Sequence, residues 1–297
     1  MKSTIRERRL PDWLSVRLDR GENYTRVRGL LRKHRLNTVC QGARCPNQWE
    51  CWNQGTATFM ILGGLCTRGC TFCGVPPDAG PGAVDPGEAL AVARAVAELE
   101  LDWTVITSVT RDDLPDGGAG HFAACVAETR RLSPECGVEL LIPDFGGDTD
   151  SLRTVAESGA VVIGHNVETV PRLYGRVRPQ ADYNRSLDVL CRLVRLGEGR
   201  YSVKSSLMVG LGESEDEIGE VLDDLAATGC DTLTLGQYLR PSKNHLKVER
   251  YYTPGEFDRL AETARSRGIA KVASGPKVRS SYMAHQLQGR SLRSEDK

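Results

Sequence analysis

The stretch Cys66-Thr-Arg-Gly-Cys70-Thr-Phe-Cys73 follows the apolar run 59–62 and the pair Gly63-Gly64. Its three thiols can meet at one soft metal centre only if the backbone wraps around that centre, which the neighbouring glycines permit. Three protein ligands on a cluster of four irons leave one iron without a protein donor. The stretch therefore predicts an iron–sulfur cluster with one open iron, where a cofactor can bind and react.

Zinc and disulfides are two other common uses of clustered cysteines. A structural zinc site usually takes two Cys pairs, or Cys with His, and no His lies near these thiols. Three thiols cannot all pair in disulfides, and no secretory signal precedes them. The spacing, with Phe72 before the last Cys, resembles that of radical S-adenosylmethionine enzymes. The resemblance implies a reduced cluster that binds S-adenosylmethionine at its open iron and cleaves it to a 5′-deoxyadenosyl radical.

A second group of thiols, Cys40, Cys45 and Cys51, lies upstream of the first. Its spacings of four and five intervening residues are too wide for a zinc knuckle, but they can wrap a four-iron cluster. This group predicts a second cluster, whose fourth ligand must come from elsewhere in the chain. The other cysteines are scattered in apolar surroundings, and we expect them to be small core residues: Cys125, Cys136, Cys191 and Cys230.

The composition is typical of a globular cytosolic protein. Of the 297 residues, 40% are hydrophobic and 26% are charged, and the formal net charge is zero. No charge excess favours nucleic acid or an anionic membrane, and no apolar run approaches the roughly 20 residues that span a bilayer. The charged N-terminus lacks the apolar stretch of a secretory signal. We therefore expect a cytoplasmic monomer that binds neither nucleic acid nor membrane.

Apolar runs and amphipathic segments alternate along most of the chain. Six aliphatic runs predict strands, and each precedes a segment that is predicted to be helical. The predicted strands are 57–62, 103–109, 138–142, 160–165, 201–209 and 231–238, and the predicted helices are 86–100, 118–132, 149–158, 182–196, 214–228 and 254–267. Such units in series imply a parallel sheet with right-handed crossovers. Because six units cannot close an eight-stranded barrel, the predicted fold is α/β, a partial (βα)6 TIM-type barrel.

Polar residues gather where these strands end. The first thiol group follows the first strand, and further polar clusters follow the next four strands. The carboxyl ends of parallel strands meet at one rim of a barrel, so we expect the working residues there. His165 is predicted to be a hydrogen-bonded residue at a strand end and not a base, because hydrogen abstraction by a radical needs no base at that position.

Longer segments resemble the lipoyl synthase family, from Arg9 to about Tyr282. The segments are 9–14, 40–52, 112–119, 164–169, 176–179, 208–213 and 278–282. The thiol group of Cys40 and the stretch Arg279-Ser-Ser-Tyr282 are the most specific, because radical enzymes in general need neither.

The family resemblance implies an activity. Members of this family insert two sulfur atoms, at C6 and C8, into an octanoyl chain attached to a lysine of a lipoyl carrier, such as the glycine-cleavage H protein or a dehydrogenase E2 subunit. Two S-adenosylmethionine molecules are consumed, one of two [4Fe-4S] clusters supplies the sulfur, and an electron donor such as flavodoxin or ferredoxin is needed. Protein acids, bases and nucleophiles cannot attack unactivated C–H bonds, so a cofactor-borne radical is required.

The resemblance also assigns ligands. It implies that Cys66, Cys70 and Cys73 hold the cluster that binds S-adenosylmethionine, and that the Cys40 group holds the sacrificial cluster. The fourth ligand of the sacrificial cluster is a serine hydroxyl, a weak ligand beside thiolate. We choose Ser281, with Ser280 as the alternative. From the residues alone, the same stretch indicates the start of a C-terminal helix with a serine near its cap.

The same resemblance divides the chain and suggests cofactor contacts. Residues 1–55 form an N-terminal extension with the second thiol group, 56–270 the barrel, and 271–297 a C-terminal extension that closes over the second cluster. The N-terminal extension is rich in basic residues, so it is either a solvated strap or a docking surface for an acidic protein.

Seven residues are the predicted contacts of S-adenosylmethionine. Backbone at two glycines would meet its amino group, an aromatic residue the adenine, two polar residues the ribose or methionine part, and two cations the carboxylate. In that order they are Gly63 and Gly64, Phe72, Asn166 and Glu168, and Arg178 and Lys204. Each of them could equally be a structural residue of the rim.

Other classes of protein stay open at this point. Another radical enzyme with a second cluster, similar to biotin synthase or to peptide-modifying enzymes, would act on another substrate and need no serine on iron. An iron–sulfur scaffold or redox sensor would have little use for six strand–helix units with polar rims. A zinc-binding interaction module would contain no iron, whereas two clusters hold about eight irons per chain.

Overall fold

The computed structural model of the chain describes residues 10–15, 21–54, 56–282 and 284–289. At its centre is an eight-stranded sheet whose strands are neighbours in sequence order. The first pair is antiparallel and every later pair is parallel. The strands are β1 (Asn37–Thr38), β2 (Thr58–Ile61), β3 (Trp103–Ser108), β4 (Gly137–Leu141), β5 (Val162–Gly164), β6 (Ser202–Val209), β7 (Thr232–Gln237) and β8 (Lys271–Gly275).

The helices either belong to the N-terminal part of the chain or connect the parallel strands of the sheet. Three belong to the N-terminal part of the chain, namely α1 (Glu22–Lys33), α2 (Val39–Gly42) and α3 (Gln48–Asn53). The others follow β2 to β7 in turn: α4 (Glu88–Glu98), α5 (Ala119–Leu132), α6 (Thr149–Ala156), the pair α7 (Tyr174–Val177) and α8 (Tyr183–Gly197), α9 (Glu215–Ala227) and α10 (Pro254–Ser266). Because crossover helices cover the outer face, the strand ends form the two openings of the barrel.

The predicted alternation is confirmed, since every predicted strand and helix is present within two residues of its predicted ends. Two further strands, β1 and β8, were not predicted. The first has only two residues, and the second has Val272 as its one large aliphatic residue, so neither contains an apolar run. In the described residues the strand order starts at β1 and stops at β8, and the barrel is therefore open, as predicted.

Local signals in the sequence explain where the helices begin. Ser214 and Glu217 form a capping box at the start of α9, and Thr253 and Glu256 form another at α10. Each box pairs two backbone N–H groups that would otherwise lack partners at a helix start. The helices then bury one face, and Ile218 of α9 is fully buried. Local capping and core packing thus agree, which is why these boundaries were predictable.

The C-terminal segment closes one end of the barrel. Trp103, Val105 and Val162 form a small apolar cluster with Ala284, apart from the main core. Trp103 and Val162 begin their strands, so Ala284 lies at the N-terminal end of the barrel. Nearby, the Val278 carbonyl lies so close to Gly236 that a Cβ there would overlap it. The chain can therefore follow this path only if position 236 is a glycine.

The N-terminal helices are fixed to the barrel by stacking and ion pairs. Tyr24 of α1 stacks on Trp49 of α3 with ring centroids 4.7 Å apart, and it also contacts Trp52. Lys33 pairs with Glu98 at the end of α4 at 2.7 Å. These contacts hold the segment that carries Cys40, Cys45 and Cys51 against the sheet.

Several predictions lie partly outside the described residues. The domain boundaries are one of them, and docking by the basic N-terminus is another, because five of its arginines fall in the segments that are not described: Arg6, Arg8, Arg9, Arg17 and Arg20. Both stay predictions. Among the described residues, none of the helices combines the length and the apolar character that crossing a bilayer requires.

Candidate iron–sulfur and cofactor sites

The first thiol group lies in the loop that follows β2. Leu62 and Gly63 have positive φ angles of 67° and 98°, and they turn the chain out of the strand. The Cys66 sulfur accepts hydrogen bonds from the backbone N–H groups of Thr110 and Arg68, at 3.3 and 3.5 Å. These donors fix the position of the Cys66 sulfur in the loop. The loop thus presents Cys66 at the rim formed by the strand ends, as predicted.

Arg68, inside this loop, is held by two carboxylates. Its guanidinium binds Asp112 at 2.8 and 2.7 Å and Asp144 at 2.9 and 2.7 Å. These two residues follow β3 and β4, so Arg68 ties the thiol loop to the next two strand ends. Asp144 is fully buried, and its bond to Arg68 lowers its pKa to about 2 against the opposing effect of burial. Sequence reasoning missed these two ion pairs, although it noted the polar residues that follow β3 and β4.

The rest of the loop is fixed by backbone contacts. The Gly69 N–H donates to Gln180 Oε1 at 2.6 Å, and the Thr71 N–H donates to the Val177 carbonyl at 3.0 Å. His245, from the long connection after β7, lies 2.9 Å from the Cys73 carbonyl through its Nε2 atom. Two distant parts of the chain, the connection around 177–180 and the one that carries His245, therefore set the shape of the loop.

Four predicted residues lie together beside the first thiol group. Arg178 is buried, donates to the Asn166 carbonyl at 2.8 Å, and acts electrostatically on Cys70 and Glu168. Glu168 accepts a hydrogen bond from the Asn166 amide at 2.9 Å and has a positive φ of 65°. Burial raises the pKa of Glu168, and Arg178 opposes that rise. The structure thus brings Asn166, Glu168, Arg178 and Cys70 to one place.

The other predicted cofactor residues lie in different surroundings from one another. A Cβ added at Gly63 would meet open space, and at Gly64 it would meet only Asn37, so backbone can be approached there. Phe72 packs, partly buried, against the main core. Lys204 is buried early in β6 and binds Glu139 of β4 at 2.6 Å. Its ammonium is therefore committed to a carboxylate inside the barrel, a partner that sequence reasoning did not foresee.

His165 matches its prediction. It lies directly after β5, is buried, and has Nδ1 3.0 Å from the Ile142 carbonyl and Nε2 3.1 Å from Ser186 Oγ. Burial, followed by the nearby Arg178 charge, lowers its pKa to about 4. The imidazole is therefore neutral and has both nitrogens in use.

The second thiol group surrounds a cavity at the opposite end of the barrel. Cys40, Cys45 and Cys51 line it together with Thr58 and Ser281. Thr58 is the first residue of β2, whereas the first thiol loop follows its last residue, Ile61. At about 3.3 Å per residue the strand separates the two loops by roughly 10 Å. The two thiol groups therefore do not share one rim, and the barrel interior lies between them.

Burial keeps these thiols protonated in the absence of a metal. It raises the pKa of Cys40 to about 11 and raises those of Cys45 and Cys51 as well. The other two thiols raise the pKa of Cys51 further, so the three thiols lie close to each other. Metal binding must displace their protons, so ligation and deprotonation are coupled here.

Three contacts hold the C-terminal segment over this cavity. The Asn47 amide donates to the Lys277 carbonyl at 2.6 Å, Thr58 donates to Ser281 Oγ at 2.9 Å, and Tyr282 donates to Glu50 at 2.9 Å. Ser281 lines the cavity, whereas Ser280 is not among the residues that form its wall. The predicted serine and the three thiols are therefore brought together by elements that are more than 200 residues apart in sequence.

The residues around the cavity suit a cluster better than a single ion. Within the described residues, no three His, Cys, Asp or Glu side chains come close enough to hold one metal ion. A [4Fe-4S] cluster binds each ligand through a different iron, so ligands spread around a cavity fit it. Arg279 adds a positive charge beside Cys45, which suits an anionic group. Three thiols and a hydroxyl also supply four donors.

Comparison with known families adds independent information. Residues 60–225 match the model of the Radical SAM superfamily. Residues 1–45 match the N-terminal domain of lipoyl synthase of the Radical SAM family.

Similar proteins extend over most of the chain. The lipoyl synthase of Oleidesulfovibrio alaskensis is 52% identical over 277 residues, which cover 93% of this chain and 94% of the relative. That of Myxococcus xanthus is 52% identical over 280 residues, covering 94% and 93%. That of Chlorobium limicola is 49% identical, covering 93% and 94%.

Solved structures share the fold at low sequence identity. The FeFe-hydrogenase maturase HydG from Carboxydothermus hydrogenoformans has a TM-score of 0.58 at 14% identity, covering 72% of this chain and 52% of that one. Methylornithine synthase has a TM-score of 0.54 at 12% identity, covering 72% and 62%. These similarities concern the barrel architecture alone.

Proposed function

The chain belongs to the lipoyl synthase family of radical S-adenosylmethionine enzymes, and we propose that its two thiol groups hold two [4Fe-4S] clusters with separate roles. The chain is a sulfurtransferase that forms the lipoyl group on an octanoylated protein. Bound S-adenosylmethionine and the clusters supply a carbon-centred radical and sulfur, which no protein side chain can provide.

In this proposal the loop of Cys66, Cys70 and Cys73 binds the cluster that reacts with S-adenosylmethionine. Its three thiols lie at the rim where the strands end, and Arg68 holds the loop to Asp112 and Asp144. Gly63 and Gly64 offer open backbone on the same loop. A cofactor with an amino group and a carboxylate would find polar partners in Glu168, Asn166 and Arg178.

Among the proposed cofactor contacts, Lys204 is the residue whose surroundings least favour binding of the cofactor. Its ammonium already binds Glu139, and both side chains are only 3% exposed. Removing that partner to bind a cofactor carboxylate would leave Glu139 charged and unpaired in the barrel, which is costly. We therefore propose Arg178 as the cation for the carboxylate and assign Lys204 to the barrel wall.

Cys40, Cys45, Cys51 and Ser281 would hold the cluster that provides sulfur. A serine oxygen binds iron more weakly than a thiolate, so Ser281 is the ligand that leaves first. Its hydrogen bond from Thr58 gives the released oxygen a partner within the same cavity. The C-terminal segment can thus stay in place when this ligand is exchanged.

The substrate is an octanoylated lipoyl protein, and we propose the H protein or an E2 subunit as its carrier. The octanoyl chain would lie in the barrel interior between the two thiol groups, because a radical from one end must act on the carbon that takes sulfur from the other. A flavodoxin or ferredoxin would supply electrons. We propose a monomer in the cytoplasm as the working form.

The observation that carries the proposal is the cavity shared by Ser281 and three thiols. The test is mass spectrometry of a peptide with an octanoylated lysine, after anaerobic incubation with the reconstituted protein, S-adenosylmethionine and a reductant. We expect two sulfur atoms per peptide. The variant with Cys40, Cys45 and Cys51 all changed to Ala should still cleave S-adenosylmethionine but add no sulfur. A parent protein that cleaves the cofactor and leaves the peptide unchanged would refute the proposal.

A further inference from the structure

Arg279 lies in the wall of the cavity that the second thiol group surrounds. It lines this cavity together with Cys45 and Ser281. Its Nη1 atom donates to the Val278 carbonyl at 2.6 Å and to the Pro276 carbonyl at 3.4 Å. The same atom lies over Gly236, where β7 has no side chain to block it. Nη1 is thus fixed by two backbone carbonyls of the preceding turn, and the side chain lines the cavity.

The charge of Arg279 has no carboxylate partner among the residues that the structure describes. Glu50, which contacts the same C-terminal segment, is hydrogen-bonded to Tyr282. Burial lowers the pKa of the Arg279 guanidinium, and the one group that opposes this electrostatically is Cys45. Arginine stays protonated in proteins, so its positive charge persists inside this cavity. Arg279 is partly buried, and a partly buried cation without a counter-charge is expected where an anion binds.

Other arginines of the chain show how this one differs. Arg68, which lies inside the first thiol loop, is paired with both Asp112 and Asp144. Its charge is therefore neutralised by the protein before any cluster binds. In contrast, Arg279 has only carbonyl oxygens and a thiol around it. Arg68 thus contributes no uncompensated charge to the first site, whereas Arg279 contributes an uncompensated positive charge to the second.

We propose that Arg279 is the counter-charge of the second cluster and raises its reduction potential. This inference rests on the proposed function, because it requires that Cys40, Cys45, Cys51 and Ser281 hold a [4Fe-4S] cluster. A cluster with these ligands is an anion, and an added electron makes it more negative. A fixed cation stabilises the reduced form more than the oxidised form, and partly buried charges are screened less than exposed ones. Potentials of such clusters depend on net charge and local hydrogen bonds.

A purely structural role is the competing explanation. The bonds from Arg279 to the Pro276 and Val278 carbonyls fix the turn that precedes Ser281. If that were the whole function, loss of these bonds would weaken cluster retention, but a variant that keeps its cluster would keep the potential of the parent. Lysine keeps the charge without the planar guanidinium, whereas methionine keeps much of the length and loses the charge. The two substitutions therefore separate the two explanations.

The test uses the full chain with Cys66, Cys70 and Cys73 changed to Ala, so that only the second cluster is present. After anaerobic reconstitution, iron and sulfide are measured, and the potential is determined by redox titration followed by EPR. We expect a more negative potential for Arg279→Met than for the parent, and a value close to that of the parent for Arg279→Lys. Arg153→Met in the same background is the control, because Arg153 is 50% exposed and lies outside both thiol groups, and it should leave the potential unchanged.

Each result decides the question. Equal potentials for Arg279→Met and the parent would overturn the inference, as would loss of the cluster in both Arg279 variants or in Arg279→Lys alone. Loss of the cluster in Arg279→Met alone, with retention in Arg279→Lys, would support it. If the parent background itself bound no four-iron cluster, the proposed function would fail at its site assignment, which is a different outcome.

Discussion

At the level of single residues, the adjacent serines Ser280 and Ser281 have different surroundings. Ser281 lines the second cavity and accepts a hydrogen bond from Thr58, and Ser280 does neither in the described structure. We expect Ser281→Ala to lose iron from the second cluster and to reduce sulfur insertion at least tenfold, because one of four ligands is gone. Ser280→Ala is the control and should behave like the parent. Iron analysis and product mass spectrometry measure both, and equal loss in the two variants would exclude Ser281 as the ligand.

The buried pair of Lys204 and Glu139 gives a prediction about stability. Changing Lys204 to Met leaves Glu139 in the barrel without its partner, and breaking a buried pair in this way costs roughly 3–5 kcal/mol. The double change to Met at both positions should recover most of that loss. Denaturant unfolding of the anaerobic protein measures these free energies.

The control for this pair is a surface pair of similar chemistry. Arg153 binds Asp150 at 2.7 Å, but the two side chains are 50% and 86% exposed. Arg153→Met should therefore cost less than about 1 kcal/mol. A cost for Lys204→Met as small as that of Arg153→Met would show that the Lys204 ammonium is not paired inside the barrel.

His165 predicts how stability changes with pH. Its pKa is lowered to about 4 in the folded chain, against about 6.5 in the unfolded chain. The unfolded state therefore binds a proton first as the pH falls. The stability that neutral His165 provides is complete above pH 6.5 and is lost progressively between 6.5 and 4.

From pH 7.5 to 5.5 this loss amounts to about 1 kcal/mol. The variant His165→Gln keeps hydrogen-bonding groups but does not titrate. Between pH 7.5 and 5.5, its free energy of unfolding should therefore fall by about 1 kcal/mol less than that of the parent. Denaturant unfolding at the two pH values measures the difference. Identical pH dependence in the two proteins would contradict a neutral, buried His165.

Single residues also show what the sequence could and could not predict. The two thiol groups were predictable because ligand spacing is local, and Ser281 was predictable only through family resemblance, since a serine near a helix start is common. The partners of Lys204 and Arg68 could not be predicted, because each pair joins residues 44 to 76 positions apart. Only the fold brings them together.

At the level of elements, the C-terminal segment depends on a missing side chain in β7. The Val278 carbonyl occupies the space that a Cβ at position 236 would need. Gly236→Ala should displace the segment and with it Ser281, so we expect loss of the second cluster with the first retained. Gly29→Ala is the control, because nothing lies within 4 Å of a Cβ at that helical position. Iron analysis of both variants tests this, and full retention of both clusters in Gly236→Ala would contradict the described path.

The elements that were predicted form for reasons that are local in the sequence, and the elements that were missed do not. The helices α9 and α10 were predictable because each begins with a capping box and continues with an apolar stripe. Strand β8 contains Lys271, Ser274 and Gly275 and owes its existence to pairing with β7. Strand β1 has two residues and pairs antiparallel with β2. Pairing of this kind leaves no periodic pattern, so sequence reasoning had nothing to detect.

At the level of the whole molecule, the open barrel separates two sites that share one interior. The thiol loop after β2 lies at one end, and the cavity of the second thiol group lies at the other, where the N-terminal and C-terminal segments meet. The number of strand–helix units was enough to predict an open barrel. The placement of the second site was not predictable, because it depends on where the two extensions pack.

The most direct test of two separate clusters is iron and sulfide analysis, with EPR of the reduced form, on three anaerobically reconstituted proteins. These are the parent, the variant with Cys40, Cys45 and Cys51 changed to Ala, and the variant with Cys66, Cys70 and Cys73 changed to Ala. We predict about eight irons and eight sulfides per parent chain and about four of each in either variant. Addition of S-adenosylmethionine should change the EPR spectrum only when Cys66, Cys70 and Cys73 are present. About four irons in the parent, or loss of all iron in either variant, would contradict two independent clusters.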